Sequence, residues 1–453
     1  MRVLALLLVL TLSSAAQSPD SPPALADPPG LTSTVTVSTV AQLNSAIAGL
    51  VSNRKIVINP GTYTLSAQLW IDGNVDNCII RGATGNRADV VIQGLGMTNP
   101  AVPHGFEVAN GTNITFADLS VGNVYYHPFQ LHGDGATSGI RIYNCRIFDA
   151  GEQFVKGSWN SVPGNGIDNG AVEYCDIEYT TTAPSDYTNG VDIHNGDNWV
   201  IRHCRFRNIR APAGGGLAGP AVLMWNGCTN TIVEGNTFIN CQRGISLGLV
   251  DASGAIPNDH VGGIVRNNVI YRGASQSGDV GIYISDCPGA KVINNTIILS
   301  GTYGTPIEYR FASTTGTEIR NNLLDGTIWA RDGATGTLTS NLTSGSASML
   351  VNAAAEDFHL AATATAAIDA GTPTPDCTND WDLGARPGGA AYDIGHDELG
   401  GSSPPPPPPP APPPSTGGGG GSSHRSGCGG GPAASTAALL ATLALLAGHR
   451  IVR

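Results

Sequence analysis

The sequence predicts an all-β chain that forms a single-stranded right-handed parallel β-helix with an N-terminal helical cap. The prediction depends on two short patterns that recur along the chain and on a composition rich in turns, since 60 of the 453 residues are glycine. A strand with either pattern could not bury its apolar residues alone, whereas stacked coils share one continuous core.

The first pattern is an apolar residue, two variable residues, a cysteine or asparagine, one variable residue and a second apolar residue. Its centres are Cys145, Cys175, Cys204, Asn236, Asn268, Asn295, Asn322 and Asn341. They lie 27 to 32 residues apart, with a last step of 19, which fits coils joined by turns of different length. Asparagines at one point of successive coils can hydrogen-bond in a column. We expect the cysteines of that column to be buried thiols and not disulfide partners.

The second pattern is a three-residue strand whose two apolar residues flank a variable one. It recurs at 106–108, 129–131, 191–193, 222–224, 245–247, 282–284, 307–309 and 328–330. Because side chains alternate along a strand, the flanking residues should face the core and the central residue should face outward. Residues 40–50 have helical spacing and should cap the first coil, and residues 358–398 should close the other end.

Two segments near the start of the domain carry a family resemblance. Ile58-Asn59-Pro60-Gly61-Thr62-Tyr63 and Ile80-Arg81-Gly82-Ala83 resemble the usual opening of the pectate-lyase-like superfamily of right-handed β-helices. The resemblance implies one β-helix domain over residues 35–398. It leaves the activity open, because this fold hosts lyases, hydrolases, epimerases and non-catalytic adhesins.

The two ends of the chain predict export. Residues 1–16 have the charged start, short apolar region and small-residue end of a secretory signal peptide, and residues 17–34 should be a linker. Residues 399–431 form a proline- and glycine-rich linker, and residues 432–453 an apolar tail. That tail resembles bacterial C-terminal sorting tails, and the alternative is a transmembrane anchor. Either places the domain at the cell surface or outside the cell, with membrane contact through the tail alone.

Charge narrows the class of partner. The net charge of −12 argues against nucleic acid, because no basic stripe is available to neutralise phosphates. The expected partner is an acidic polysaccharide or another glycan, and the expected state is a monomer.

The outward positions of the second pattern give the candidate site. Asp192 and His194 should share a face, and Lys156 should lie one coil away, about 5 Å along the axis. Simple alternation after Phe154 points Lys156 inward, so we expect a bulge at Gly157 to turn it outward. Two further side chains on this face are expected to bind substrate, His132 and Trp225.

These residue types suit removal of a proton alpha to the carboxylate of a uronic acid. The reaction needs a group that neutralises the carboxylate, a base for the C5 proton and an acid for the leaving oxygen. Lys156 or His194 could neutralise or act as the base, with Asp192 orienting His194 or holding a metal. The first hypothesis is therefore a polysaccharide lyase that acts by β-elimination.

Two alternatives stay open. The segment 189–194 is similar to the Asp-Pro-His signature of β-helix alginate C5-epimerases, with Ile193 in place of the proline. That resemblance implies an epimerase in which Lys156 completes the site. The other alternative is a non-catalytic surface protein that binds glycan or a neighbouring cell through the same face.

Three other groups offer weaker signals. Arg310 and Arg331, on adjacent coils, could grip a carboxylate or sulfate, or could pair with Glu308 and Asp332, respectively. No cofactor is clearly indicated, but two groups have oxygen ligands of the kind that Ca²⁺ takes. They are Asn258-Asp259-His260, in a loop, and Asp176 with Glu178, on a strand.

Overall fold

The structure is a computed structural model, and it describes residues 20–162, 164–252 and 256–400. The predicted signal peptide, the apolar tail and nearly all of the proline- and glycine-rich linker lie outside these residues. Among the described residues, no helix has the length and apolar character needed to cross a membrane.

The described chain winds into coils, each of which contributes up to three short strands to three parallel sheets. The first strands of the coils contain the second sequence pattern and are stacked in parallel register. They are Leu69–Gly82, His104–Ala117, His127–His132, Val155–Ser158, Val191–His194, Val222–Trp225, Ile245–Leu247, Ile282–Ser285, Ile307–Arg310 and Ile328–Arg331. We call the sheet that they form the first sheet. The predicted fold class is confirmed.

The second and third strands complete each coil. In the first two coils the long strands Leu69–Gly82 and His104–Ala117 run through both the first and the second sheet. The other second strands are Arg54–Ile58, Arg141–Tyr143, Ala171–Glu173, Val200–Arg202, Ile232–Glu234, Ile264–Arg266, Lys291–Ile293, Thr317–Arg320 and Gly336–Thr339. The third strands are Gly61–Thr64, Val90–Gln93, Ser120–Val124, Arg146–Ala150, Asp176–Glu178, Arg205–Arg207, Thr237–Ile239, Val269–Tyr271, Thr296–Ile298 and Leu323–Leu324. Two short strands in the turns, Cys228–Thr229 and His260–Val261, also pair.

The corner between the second and third strands explains the first sequence pattern. Asn295 is fully buried, its Oδ1 accepts the backbone N–H of Asn268 at 3.0 Å, and its Nδ2 donates to Asn322 Oδ1 at 3.0 Å. Sulfur replaces the amide in the earlier coils, where the N–H of Cys145 donates to Cys175 Sγ at 3.4 Å. All the cysteines that the structure describes are free and buried, which confirms the predicted column of thiols.

The residue before each member of the column of cysteines and asparagines has a left-handed backbone. Asn144, Asn267, Asn294 and Asn321 all have φ near +50°, between +48° and +54°. Asparagine tolerates this conformation better than most residues. The sharp corner therefore explains why asparagine is frequent just before the column as well as in it.

The first coil is capped as predicted. Helix α1 (Val40–Ala48) begins at Thr39, whose side chain accepts the N–H of Gln42, and it buries Leu43, Ala46 and Ile47 against the core. The strand Ser33–Val37 pairs with the first coil. Part of the segment predicted as a linker contacts the coils, since Asp27 forms an ion pair with Arg81 at 2.8 Å.

The predicted closing segment, residues 358–398, follows the 3₁₀ turns Ala347–Met349 and Ala353–Ala355 and begins within the antiparallel pair of strands Leu350–Asn352 and Asp357–Leu360. It then lies along the flank of the coils, because corner asparagines bind its backbone: Asn267 donates to Asn379 O at 2.7 Å, and Asn321 to Thr372 O at 2.8 Å. The last coil stays partly open, because Leu338, which pairs with the buried Ile319, is 50% exposed.

Candidate functional site

The parallel register places Lys156 on the outer face of the first sheet without a bulge. Lys156 pairs with Gln130 on one side and Asp192 on the other, and Val155 is buried in line with Phe129. The predicted bulge at Gly157 is therefore wrong. Phe154 and Val155 are both buried, and two consecutive apolar residues made the strand's period ambiguous.

Lys156, Asp192 and His194 form one compact cluster, which we call the lysine cluster. Lys156 Nζ donates to Asp192 Oδ2 at 2.8 Å and lies 2.6 Å from His194 Nε2. His194 Nε2 is 3.4 Å from Asp192 Oδ1. The side chains are largely enclosed, with 11% of Lys156, 4% of Asp192 and 16% of His194 exposed. The adjacency predicted from the sequence is present.

Asp192 is the anionic centre of the cluster. Burial would raise the pKa of this carboxyl, but the charge of Lys156 and the hydrogen bond from His194 outweigh it and hold the pKa well below its usual range. Trp225 Nε1 donates to Asp192 Oδ1 at 2.9 Å. Trp225, predicted as a stacking surface, thus also anchors the carboxylate through its N–H group.

His194 is held by two residues of the next coil. Its ring lies 4.6 Å from the ring of Trp225, at an interplanar angle of 59°, and its Nδ1 lies 2.7 Å from the side-chain amide of Asn226. Asn226 has φ +55°, a conformation that asparagine accepts and that turns the chain directly after the strand. Sequence reasoning missed Asn226, although an asparagine that ends a strand signals such a turn.

The contact between Lys156 and His194 constrains the protons of the cluster. At 2.6 Å the two nitrogens share one hydrogen bond, in which one is the donor and the other the acceptor.

Three side chains border the lysine cluster. The ring of Tyr187 is 59% exposed, and the pKa of its hydroxyl is raised by desolvation and by the charges of Asp192 and Glu152. Burial raises the pKa of Glu152, against the opposing charge of Lys156. His127 is buried, its Nδ1 lies 3.0 Å from Gln153 O, and burial lowers its pKa to about 3.

His132 lies on the same face but outside the lysine cluster. It pairs in register with Ser158, which follows Lys156 and Gly157, so it is two coils from His194. Its Nε2 donates to Glu107 Oε1 at 2.8 Å, and its ring lies 6.0 Å from that of Trp70. Sequence reasoning did not include Trp70 or Glu107 among the site residues.

Arg310 lies four coils and Arg331 five coils beyond Asp192 along the same sheet, roughly 20 and 25 Å away. Each is paired with the carboxylate of the adjacent coil: Arg310 with Asp332, and Arg331 with Glu308 at 2.7 Å. The predicted pairs, Arg310 with Glu308 and Arg331 with Asp332, are therefore wrong, because the same four residues pair across coils. The structure does not bring these arginines to the lysine cluster.

The acids that were considered as Ca²⁺ ligands are hydrogen-bonded or ion-paired to other groups of the protein. Asp259 is fully buried and accepts the backbone N–H groups of Asn226, Leu249 and Val250. His260 is buried with Nε2 2.9 Å from Thr231 Oγ1.

The strand acids are paired with arginines. Asp176 bonds to Arg87 and Arg205, and Glu178 bonds to Arg146. Within the described ranges, no group of three or more His, Cys, Asp or Glu residues has a geometry that could hold a metal ion.

Comparisons with known proteins agree on the fold. A family model described as "Right handed beta helix region" matches residues 68–252. The pectate lyase Pel9A superposes with a TM-score of 0.59 and 16% identity, over 82% of this chain and 97% of that one. An alginate lyase from Paenibacillus sp. str. FPU-7 gives a TM-score of 0.48 and 16% identity, over 68% and 97% of the two chains.

PfbA, a surface adhesin of Streptococcus pneumoniae, gives a TM-score of 0.38 and 13% identity, over 66% of this chain and 86% of that one. No curated protein sequence matches the chain. A likeness at such low identity concerns the fold alone. The family model, the likeness to Pel9A and the strand pairing give one conclusion: residues 20–400 contain a right-handed parallel β-helix.

Proposed function

We propose that the protein is a polysaccharide lyase that cleaves a uronate-containing polysaccharide by β-elimination at the lysine cluster. The observation that carries the proposal is the 2.6 Å contact between Lys156 Nζ and His194 Nε2. It sets two nitrogen groups, one a hydrogen-bond donor and the other an acceptor, side by side next to the Asp192 carboxylate on a partly exposed face, and C5 deprotonation needs a cationic group and a base in such proximity. The fold, shared with a pectate lyase, is compatible with this chemistry.

The reaction proceeds in balanced steps. The uronate carboxylate lies against the cationic member of the pair, which stabilises the negative charge that develops when C5 loses its proton. The neutral nitrogen takes that proton, the electron pair forms the C4–C5 double bond, and the bond from C4 to the glycosidic oxygen breaks. The leaving oxygen then takes a proton from an acid, for which the candidate is Tyr187, an exposed phenol whose hydroxyl senses the charge of Asp192.

Asp192 acts on the reaction through its neighbours. Its carboxylate fixes Lys156 at 2.8 Å and Trp225 at 2.9 Å, and Trp225 in turn packs against His194. Side chains held in one geometry before substrate arrives lose little entropy in the transition state. We therefore assign Asp192 a positioning role and Lys156 and His194 the catalytic roles.

The C5-epimerase alternative shares the first step. It differs only in the fate of the proton, which returns to C5 from the opposite face while the glycosidic bond stays intact. The same protein preparation decides between the two, because elimination creates the absorbance of an unsaturated uronate, whereas epimerisation changes the NMR signals of C5 without it.

The test is an activity screen of the purified protein on uronate-containing polysaccharides, with two variants. Lys156→Ala should lower kcat/KM by a factor of about 10³ or more, the scale expected for loss of an acid–base and charge-stabilising group. Lys291→Ala is the matched control, because Lys291 is also ion-paired, with Asp376 at 2.7 Å, but on the second sheet. Full activity in the Lys156 variant would contradict the site assignment.

Absence of both unsaturated products and C5 inversion on every substrate would contradict the enzymatic proposal. Binding of those glycans without turnover would then favour the non-catalytic surface protein. We also propose export by the N-terminal segment, retention at the surface by the tail, and a monomeric state. Cell fractionation, N-terminal sequencing of the mature protein and light scattering test these three points.

A further inference from the structure

A second group of side chains lies on the same face as the lysine cluster, nearer the N-terminus. Strand register places Trp70, Glu107, Gln130, Lys156 and Asp192 in one outward column, each residue paired with the next. Trp70 is 43% exposed. The face is therefore continuous from Trp70 to the lysine cluster, over a distance of roughly 20 Å.

We propose that Trp70, Glu107 and His132 form a subsite for an uncharged sugar, which we call the Trp70 subsite, and that the substrate carries its uronates singly between neutral residues. The proposal deepens the proposed function, on which it rests. It names a substrate class narrower than the uronate-containing polysaccharides in general.

The buried carboxyl of Glu107 determines the charge of this subsite. Glu107 is 5% exposed; its Oε1 accepts from His132, and its Oε2 has no hydrogen-bond partner in the structure. Asp134 adds a second carboxyl 3.8 Å from His132 Nδ1. A uronate bound over this group would bring a third carboxylate to a poorly hydrated place, where like charges repel strongly. A neutral sugar meets no such repulsion.

The exposed groups of the subsite suit a neutral sugar. The indole face of Trp70 can stack on the apolar face of a pyranose ring, and the half-buried His132 beside it can hydrogen-bond a hydroxyl. Gln130, between Glu107 and Lys156, is an uncharged amide whose Nε2 donates to Ser158 Oγ at 3.2 Å. The face therefore passes from a neutral subsite through an amide to the lysine cluster.

Few cationic side chains lie on this face. In the described part of the chain, the first-sheet portions of the strands from Trp70 to Trp225 contain one lysine, Lys156, and no arginine; Arg81 lies in the second-sheet portion of Leu69–Gly82, where it pairs with Asp118. The arginines on the second and third sheets of the same coils are ion-paired there, as Arg141 is with Glu173 and Arg146 with Glu178. A polymer with a carboxylate on every residue would leave most of its charges unmatched on this face.

The experiment compares two oligosaccharides of equal length, one with a single uronate between neutral sugars and one made of uronates alone. The wild-type protein should act on the first with kcat/KM at least tenfold higher. Trp70→Ala should raise KM for the first substrate roughly three- to tenfold, the effect expected for one lost stacking contact. Trp329→Ala is the matched control: Trp329 ends the same outward column and is 47% exposed.

The charge argument has its own variant. Glu107→Gln keeps an acceptor for His132 and removes the negative charge, so it should shift the preference toward the all-uronate oligosaccharide by about tenfold. An unchanged preference in this variant, an unchanged KM in the Trp70 variant, or a wild-type preference for contiguous uronates would overturn the proposal.

Failure of the proposed reaction can be told apart from failure of the subsite. If neither oligosaccharide is turned over, calorimetric binding of the same two compounds replaces kinetics. Tighter binding of the singly charged compound that is weakened by Trp70→Ala and not by Trp329→Ala supports the subsite without the reaction. No binding of that compound, or equal binding by all three proteins, overturns it.

Discussion

Lys156 Nζ lies 2.6 Å from His194 Nε2, across the gap between two adjacent coils of the β-helix. Neither residue could hold this position by itself. Asp192 accepts from Lys156 on the same side, and Asn226 meets the far nitrogen of His194. The arrangement is therefore a small network built on three successive coils, and its members should respond to substitution as a unit.

Removal of Lys156 alone should be costly to stability. Asp192 is 3% exposed. In Lys156→Met its carboxylate would still accept the N–H of Trp225, but it would lose the ion pair with Lys156. An uncompensated buried charge costs about 3 kcal/mol of unfolding free energy. The double variant Lys156→Met with Asp192→Asn should recover all but about 1 kcal/mol. Chemical denaturation of the wild type, both single variants and the double variant measures the coupling, and additive losses would show that the pair is not coupled.

Asn226 should position His194 without touching substrate. Asn226→Gly preserves the left-handed backbone and removes only the amide beside His194 Nδ1. We expect kcat to fall about tenfold with KM changed little, because the imidazole loses the group that fixes its orientation. Asn230→Gly is the control, since Asn230 has φ +53° in the same turn. Equal effects of the two variants would indicate a purely structural role.

The asparagine column should tolerate cysteine better than alanine. Asn268 is fully buried; its amide accepts the N–H of Asn236 and donates to Val233 O at 2.8 Å. Asn268→Ala leaves both backbone groups without partners and should lower the unfolding free energy by about 3 kcal/mol. Asn268→Cys should lose about half as much, because Cys204 holds the equivalent position one coil before Asn236, with its Sγ 3.4 Å from Val172 O. Equal losses on denaturation would refute the equivalence of thiol and amide.

The sequence was sufficient to predict the coils because each coil requires the same types of residue at the same positions. An apolar residue must face the core on both sides of Asp192, and an asparagine or small thiol must fill the corner between the second and third strands of each coil. The same repetition predicted that Lys156, Asp192 and His194 lie close together. What it did not determine was the phase of a strand in which Phe154 and Val155 are both apolar, since either could be the inward residue.

Partners across coils were harder to predict than positions within them. Arg310 was expected to pair with Glu308 on its own strand, yet it pairs with Asp332 in the turn of the next coil. Glu308 is buried and takes Arg331 together with the hydroxyls of Tyr303 and Thr305. Side-chain length and rotamer determine which carboxylate each arginine pairs with, and the spacing of residues in the sequence does not reveal the rotamers.

The closing segment should make stability depend on pH through Asp380. Asp380 is 2% exposed and accepts the N–H of Gly384 at 2.6 Å. Burial, reinforced by the nearby carboxylate of Asp397, raises the pKa of Asp380 from 3.8 to about 7. Because this pKa is higher in the folded state than in the unfolded chain, ionisation of the Asp380 carboxyl disfavours the fold. The unfolding free energy is therefore undiminished by this group below pH 4, and it falls as the pH rises toward 7.

Asp380→Asn keeps the acceptor oxygen for Gly384 and cannot ionise. It should therefore be more stable than the wild type by about 2 kcal/mol at pH 8, with the difference vanishing near pH 4. Thermal unfolding followed across this range checks the sign. Asp376→Asn is the control, because the Asp376 side chain is 24% exposed and forms an ion pair with Lys291, so its loss should give no gain at pH 8. A Tm difference for Asp380→Asn that stays constant with pH would show that this carboxyl does not titrate in the range where the fold is stable.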